Sequence, residues 1–177
     1  MTDALCHEGI RRVANSLHKA YEEGTNAHAR QDMALASLFG GLALANAGLG
    51  AVHGLAAPIG GMFSASHGLI CARLLPLVMA ANIRALQDRS PDNLVLKKYD
   101  QIARLLTSKE RARALDGAHW VQETCTRLKI PALTPFGVTE GAISELIEKA
   151  AKAGSMKANP IPLTAEELRD ILTEALE

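Results

Sequence analysis

Cysteine is scarce in this sequence, and the few cysteines present are widely separated. Only three occur, Cys6, Cys71 and Cys125, and none has the Cys-x-x-Cys spacing of a redox or thiolate zinc site. A disulfide framework is therefore not expected, because such frameworks are built from even sets of cysteines. We expect the protein to reside in the reducing cytoplasm, where free thiols persist.

The sequence also lacks an excess of charge of either sign. Its 19 Lys and Arg residues balance its 19 Asp and Glu residues, so the formal net charge is zero. Without a basic patch, a nucleic-acid partner is not expected. Asp3, His7 and Glu8 stand where a signal peptide would place its apolar segment, so we expect no targeting signal.

No charged side chain occurs between Met33 and Ala72, which is the most unusual feature of the chain. An apolar run of this length could cross a membrane. However, several glycines, Pro58 and two histidines interrupt it, and these residues favour a soluble core of closely packed helices. We therefore expect no membrane partner.

The length and pattern of the sequence predict an all-α, multi-helix bundle. The 177 residues are 48% hydrophobic, which is enough for one helical domain spanning residues 1–177. Apolar positions recur with the helical period, and no alternating β pattern of useful length is present. The predicted helices cover residues 2–21, 28–47, 50–56, 67–78, 94–106, 109–128, 139–153 and a last segment that begins at residue 164.

Local sequence predicts several details of these helices. Thr2 is the expected N-cap of the first helix. The second helix is apolar all round after Met33, so it should be central. Pro58 should end the third helix and be followed by an irregular, glycine-rich connection. Thr164 and Glu167 form a capping box at the start of the last helix. The buried face of that helix should comprise Leu168, Ile171, Leu172 and Leu176.

His53 and His67 are the strongest candidates for chemistry. Both lie in the charge-free run, and each is followed by a glycine that would let a ligand approach closely. A neutral imidazole coordinates iron or zinc, and apolar surroundings strengthen the effect of the metal on a bound oxygen. The alternative is two core histidines that are satisfied by backbone carbonyls. The spacing alone leaves both interpretations open.

Other candidate ligands are weaker. Asp3 and His7 lie one helical turn apart and could share an ion, but His7 falls on the polar side of its helix, which favours a solvated surface. Cys71 follows His67 by four residues, and a small buried hydrophobe is its preferred interpretation. No phosphate-binding loop and no Ser-His-Asp constellation is apparent, so we identify no catalytic residue.

Several segments resemble the iron-containing alcohol dehydrogenase family. The first is ANAGLGAVHG at residues 45–54, followed by PIGG at 58–61 and HG at 67–68. LLP at 74–76 and Asn82 continue the pattern, and NPIPLT at 159–164 resembles the end of that family. The resemblance covers essentially the whole chain. It implies the helical C-terminal domain of that family, which has a dehydroquinate synthase-like fold.

In that family, an N-terminal α/β domain binds NAD(P), and one Asp and three His hold a divalent ion in the cleft. The resemblance assigns two of these metal ligands to His53 and His67, with iron as the expected ion and zinc as the alternative. It also implies that the NAD(P)-binding domain is absent from this chain, so NAD(P) is a cofactor of the full-length enzyme only.

Asp3 and His7 copy the spacing of the family's Asp and first His, but they lie too close to His53 along the chain, which indicates coincidence. Many relatives have a further histidine where Ala57 stands, so the role of that histidine is lost or moved here.

Two functions remain open from the sequence. The first is the metal-binding helical domain of an NAD(P)-dependent alcohol dehydrogenase, which contributes part of the metal site for interconversion of a small alcohol and its aldehyde. The second is a stand-alone, non-catalytic helical module for binding or oligomerisation that retains the fold. In the first case, this chain alone should be inactive. Apolar surface uncovered around His53, Pro58 and Met62 should then favour self-association.

Overall fold

The computed structural model describes all residues from Met1 to Glu177, and every regular element in it is helical. The all-α prediction is therefore confirmed. Short 3₁₀ turns at Thr134–Phe136, Glu140–Ala142 and Gly154–Ala158 lie among the longer helices. The eight α-helices are α1 (Thr2–Glu22), α2 (Ala27–Ala47), α3 (Ala51–Met62), α4 (His67–Arg89), α5 (Leu94–Thr107), α6 (Ala114–Arg127), α7 (Ile143–Ala151) and α8 (Ala165–Leu176).

The chain divides into two compact units. Met1–Gly48 and Lys97–Trp120 form the first, and Leu49–Leu96 and Val121–Glu177 form the second. The main hydrophobic core lies in the second unit, where α3 packs against α4 and α7, and α8 packs against α4 and α7. Its largest fully buried side chains include Leu55, Ile59, Ile70, Leu74, Leu146 and Leu172.

In the first unit, α1 packs along α2 through small residues and a buried polar group. Gly9 of α1 lies against the side chain of Phe39 of α2. The buried Asp32 carboxylate of α2 accepts hydrogen bonds from Ser16 and Arg12 of α1. The Ser16 hydroxyl is the largest cause that lowers the pKa of Asp32, and Arg12 adds to the effect. Ser16 and Arg12 thus stabilise the charged carboxylate at the helix contact.

The prediction that α2 is central is wrong. Its buried residues are Ala29, Asp32, Ala36 and Ala43, which form a narrow stripe of mostly small side chains. Leu38, Leu42 and Leu44 are 56%, 44% and 46% exposed. Hydrophobic composition all round a helix does not say which face is covered, and here the small-residue face is the one that lies against α1. The leucines on the other faces remain exposed.

The N-cap predicted for α1 is also wrong. Met1 occupies that position, because its carbonyl accepts hydrogen bonds from the N–H groups of Ala4 and Leu5. Thr2 is already the first helical residue.

The prediction that Pro58 ends α3 is wrong as well. The helix continues to Met62, and the Phe63 N–H closes its last turn by donating to the Ile59 carbonyl. A proline inside a helix costs about 3 kcal/mol because one hydrogen bond is lost and its ring crowds the preceding turn. The fully buried side chains of Leu55 and Ile59 offset this cost by anchoring both sides of Pro58 in the core. The connection to α4 is therefore only residues 63–66, and the glycines after Pro58 are helical.

Two later helices begin further along the chain than predicted. The helix predicted from residue 109 begins at Ala114, because Ser108 has a φ of 55° and the Asp100 carboxylate accepts from the Ala114 N–H at 2.9 Å. The helix predicted from residue 139 begins as a 3₁₀ turn and becomes α-helical at Ile143. In both cases the turn before the helix, rather than hydrophobic periodicity, sets where it starts.

The capping box predicted for α8 is confirmed. The Glu167 N–H donates to Thr164 Oγ1 at 3.1 Å, and the Thr164 N–H donates to Glu167 Oε2 at 2.6 Å. On the face that was predicted to be buried, Leu168, Ile171 and Leu172 are buried, and Leu176 is half-buried.

One helix, α4, is long and apolar enough to cross a membrane by length and composition alone. More than half of its most apolar window is buried within the structure, as in the core helix of a soluble protein. Helices α2 and α3 meet the same criterion only if the two count together as one broken span. These features are weak evidence for a membrane protein.

Candidate metal centre

The imidazoles of His53 and His67 are neighbours in the second unit. His53 lies in the first turn of α3, and His67 is the first residue of α4. Their ring centroids are 5.4 Å apart, and the ring planes are inclined by 48°. The short connection between α3 and α4 thus brings together the two histidines that the resemblance assigns to a metal.

Cys71 joins these two histidines. Its Sγ lies 3.4 Å from His67 Nε2, and one ligand atom from each of His53, His67 and Cys71 lies within 4.8 Å of the others. The sequence favoured a buried hydrophobic role for Cys71, but the side chain is half-buried and faces an imidazole. The signal for this arrangement was the His-x-x-x-Cys spacing, which puts both residues on the same face of a helix.

Asn159 fixes the start of the helix that carries His53. Its Oδ1 accepts a hydrogen bond from the Ala51 N–H at 3.0 Å, so a residue from a distant part of the chain caps a free N–H group in the first turn of α3. Its Nδ2 donates to Asn82 Oδ1 and to the Ile161 carbonyl, both at 2.7 Å. Asn82 belongs to α4 and is buried. The two asparagines therefore join the beginning of α3 to the middle of α4, a role that the sequence did not reveal.

Two of the three glycines near His53 lie in close contact with other side chains, and the third makes a backbone turn. A Cβ at Gly54 would overlap the Met156 side chain, and a Cβ at Gly50 would lie 3.0 Å from Asn159 Oδ1. Gly48, which ends α2, has a φ of 73°, where a side chain would be strained. Thus Gly54 accommodates Met156 rather than a ligand. Gly68, beside the other histidine, faces open space.

The helix α4, which carries His67, is anchored in the core by residues that follow this histidine. Ile70 and Leu74 are fully buried, whereas His67 itself is exposed and His53 and Cys71 are half-buried. The three donor atoms therefore sit at the surface of the second unit, on helices that are anchored in its core.

Burial shifts the pKa values of His53 and Cys71 in opposite directions. It lowers the pKa of His53, and repulsion from His67 lowers that pKa further. Burial raises the pKa of the Cys71 thiol. At neutral pH, His53 is therefore a neutral imidazole with a free lone pair, and Cys71 is a thiol that would have to release its proton to bind a metal.

The chemistry of this donor set fits a divalent transition metal. Imidazole nitrogen binds iron, zinc, copper and nickel, and thiolate sulfur favours the softer of these ions. Hard ions such as magnesium or calcium prefer oxygen ligands, and the cluster contains none. The residues present therefore match the type of metal that the resemblance implies.

The remaining candidates lie in the first unit. Asp3 is exposed and its carboxylate pairs with Lys98 at 2.9 Å, and this hydrogen bond lowers the pKa of Asp3. The pairing agrees with the interpretation of Asp3 as part of a solvated surface. Ala57, which stands where many relatives have a histidine, is exposed one turn after His53 in the second unit.

The chain is thus an all-helical domain in which two imidazoles and one thiol lie close together. A sequence model described as the Fe-containing alcohol dehydrogenase family, C-terminal, matches residues 1–176. The chain belongs to this family.

Individual relatives agree with this assignment. The chain is 34% identical over 181 residues to the 1,3-propanediol dehydrogenase of Klebsiella pneumoniae, covering 99% of this chain and 44% of the relative. It is 33% identical over 184 residues to long-chain-alcohol dehydrogenase 1 of Geobacillus thermodenitrificans (strain NG80-2), covering 98% and 44% respectively.

The fold agrees with a solved structure as well. The crystal structure of the archaeal halo-thermophilic Red Sea brine pool alcohol dehydrogenase ADH/D1 superposes with a TM-score of 0.88 at 27% identity, covering 99% of this chain and 44% of that one. The chain thus spans less than half the length of its relatives and corresponds to their C-terminal, helical part.

Proposed function

We propose that this chain is the metal-binding helical domain of an NAD(P)-dependent alcohol dehydrogenase. The observation that carries the proposal is the approach of His53 and His67, which come from two different helices in a member of the iron-containing family. Two core histidines satisfied by backbone carbonyls would have no reason to face each other and a thiol at the surface.

His53 and His67 would hold the ion, with iron as the first candidate and zinc as the second. When bound, such an ion supplies Lewis-acid polarisation of an alcohol or carbonyl oxygen. The chain itself contributes two imidazole donors from two different helices. The hydrogen bond from the Ala51 N–H to Asn159 holds the backbone at the start of α3, two residues before His53, and a fixed backbone reduces the ordering cost of binding.

In the complete enzyme, we propose that an α/β domain binds NAD(P) and that a small alcohol or aldehyde is the substrate. Two observations support this proposal. The family model matches only the C-terminal part of its members, and the relatives act on alcohols by name, including a 1,3-propanediol dehydrogenase. Cytoplasmic location remains a prediction from the scattered, unpaired cysteines.

Metal binding by the purified chain tests the proposal. After anaerobic dialysis against Fe²⁺ or Zn²⁺, the wild-type chain should retain a single ion, whereas His53→Ala and His67→Ala should lose it. His119→Ala is the matched control, because His119 is an exposed helical histidine of the first unit. Equal retention by all four proteins would contradict the proposal, and so would a wild-type chain that binds no metal. Circular dichroism verifies that each variant is folded.

We also propose that the chain self-associates. Pro58 and Met62 are half-buried, and two of the exposed large apolar side chains, Leu38 and Leu42, lie one turn apart on α2. Exposed apolar surface of this kind is usually covered by a partner, and a second copy is the simplest one. Light scattering should show a dimer or larger species that the double substitution of both leucines by Lys converts to monomer. Leu94→Lys, at an exposed leucine of α5, should leave the assembly intact. A monomeric wild type would refute the proposal.

A further inference from the structure

Cys71 is a potential ligand to which the family resemblance assigns no role. We propose that Cys71 is a further protein ligand beside the two histidines, so that His53, His67 and Cys71 contribute two nitrogens and one thiolate to the metal ion. The inference rests on the proposed function, because it concerns the same ion, but it predicts a coordination sphere that the two histidines do not imply.

The separation of the donor atoms supports shared coordination. Two ligands of one tetrahedral ion, sulfur at about 2.3 Å and nitrogen at about 2.05 Å, lie about 3.6 Å apart. The distance from Cys71 Sγ to His67 Nε2 is 3.4 Å, which is close to that value before any metal is bound. The third donor, on His53, lies within 4.8 Å of both, so a small rotation of its side chain completes the set.

The placement of the three residues favours a preorganised site. His67 and Cys71 are one turn apart on α4, whose following residues are anchored in the core, and His53 is held by the capped start of α3. Two imidazoles and one thiolate fill three positions of a tetrahedral ion, so one position is not filled by these residues.

Metal binding exchanges one proton on Cys71 for a bond to the metal ion. The thiol of Cys71 releases its proton to solvent and a sulfur–metal bond forms, while His53 and His67 bind through neutral nitrogens. Nothing is oxidised or reduced. Sulfur in the coordination sphere shifts the preference of the site towards softer ions such as Zn²⁺.

The competing role for Cys71 is a hydrogen-bond partner that only orients the His67 ring. In that case, the thiol would stay protonated when the metal binds, and the metal would have nitrogen and oxygen ligands only. The two roles therefore differ in a property that spectroscopy measures directly, namely whether the metal has a sulfur ligand.

Cobalt titration of the reduced, full 177-residue chain distinguishes them. Co²⁺ bound to a thiolate gives a near-ultraviolet charge-transfer band, whereas Co²⁺ bound to imidazole and water does not. We expect this band in the wild type and in Cys6→Ser, the matched control at a half-buried cysteine of the first unit. Cys71→Ser, which keeps the size of the side chain, should lose the band and bind cobalt more weakly, and Zn²⁺ should displace the cobalt.

The other outcomes of the cobalt titration would overturn the ligand role of Cys71, with or without the proposed function. Cobalt bound by the wild type without a charge-transfer band, or a band that persists in Cys71→Ser, would overturn the ligand role of Cys71 while the proposed function stands. No cobalt bound at all would overturn both. Alkylation mapped by mass spectrometry gives a second measurement, since Zn²⁺ should protect Cys71 but not Cys6 from iodoacetamide.

Discussion

At the scale of single residues, the site depends on how far each donor is exposed. His67 is open to solvent, whereas His53 and Cys71 are half-buried, and burial shifts the pKa of both away from their ordinary values. Burial disfavours the charged form of a group, so it keeps His53 neutral and Cys71 protonated. A metal arriving at this site would find one imidazole already in its binding form and a thiol that must first be deprotonated.

The pKa of His53 is the first testable consequence. In the metal-free chain, its imidazole should titrate below 6.5, the ordinary value for histidine, because burial and then repulsion from His67 disfavour its protonation. His67→Ala should raise this pKa only part of the way, since burial is the larger cause. Histidine NMR resonances followed through a pH titration measure it. A pKa at or above 6.5 in the wild type would contradict the arrangement.

The same shift sets the sign of a stability change. A histidine whose pKa is lower in the folded than in the unfolded chain makes the unfolded chain bind more protons between the two values. The stability of the metal-free chain should therefore fall as the pH decreases below 6.5. His53→Gln should reduce this dependence.

At the scale of helices, Asn159 controls the position of α3. Asn159→Ala removes the acceptor for the Ala51 N–H and one partner of the buried Asn82, so we expect a loss of about 1–3 kcal/mol in the free energy of unfolding. Metal affinity should decrease too, because His53 follows directly in the same turn. Urea denaturation and a metal titration measure the two effects.

The control for Asn159→Ala is Asn46→Ala, at an exposed asparagine that donates to the Leu42 carbonyl within its own helix. This change should alter stability little and metal affinity not at all. If both variants behaved alike, Asn159 would have no special role in the position of α3.

Two glycine-to-alanine substitutions test helix packing in the first unit. A closely packed glycine and an exposed one should change the free energy of unfolding in opposite directions. A Cβ at Gly117 would lie 3.1 Å from the Ala103 Cα, so the backbone of α5 would have to shift, and we expect Gly117→Ala to destabilise the chain by about 1–3 kcal/mol. Gly41 in α2 faces open space, so Gly41→Ala should stabilise by up to about 1 kcal/mol. Thermal unfolding of both variants checks the prediction, and equal signs would contradict the packing described.

Sequence patterns predicted these helices well where a local interaction sets the boundary. The Thr164–Glu167 capping box is such a case, since its partners are three residues apart and visible in the sequence. The path of α3 through Pro58 was not predictable, because it depends on the burial of Leu55 and Ile59 by distant helices. The exposure of Leu38 had the same cause, since only the packed structure shows which face of α2 is covered.

The sequence likewise indicated only some residues of the candidate site. The resemblance predicts His53 and His67 as metal ligands, and the structure brings their ring centroids to 5.4 Å from each other; their role as ligands stays a prediction. Cys71 was underrated because a cysteine in an apolar helix is usually a core residue, and only the structure shows its sulfur facing an imidazole. The capping role of Asn159 joins residues 108 positions apart, a distance that no local pattern can signal.

At the scale of the whole molecule, the chain corresponds to less than half of an alcohol dehydrogenase. We expect the purified 177-residue chain, even when loaded with metal, to show no NAD(P)-dependent oxidation of 1,3-propanediol or a longer primary alcohol. The reason is that hydride transfer requires a bound nicotinamide beside the substrate, and the matched region is the helical C-terminal part of its relatives. The full-length enzyme of Klebsiella pneumoniae is the positive control in the same assay. Turnover by the chain alone would contradict this division of roles.

We infer that His53 and His67 bind one divalent metal ion together. Anomalous diffraction from crystals of the chain grown with Zn²⁺ tests it most directly, because it places the ion independently of any assumption about ligands. We expect a single strong peak between the two rings, about 2.0–2.1 Å from a nitrogen of each. A peak bound to only one of these histidines, or zinc found only elsewhere on the molecule, would contradict it.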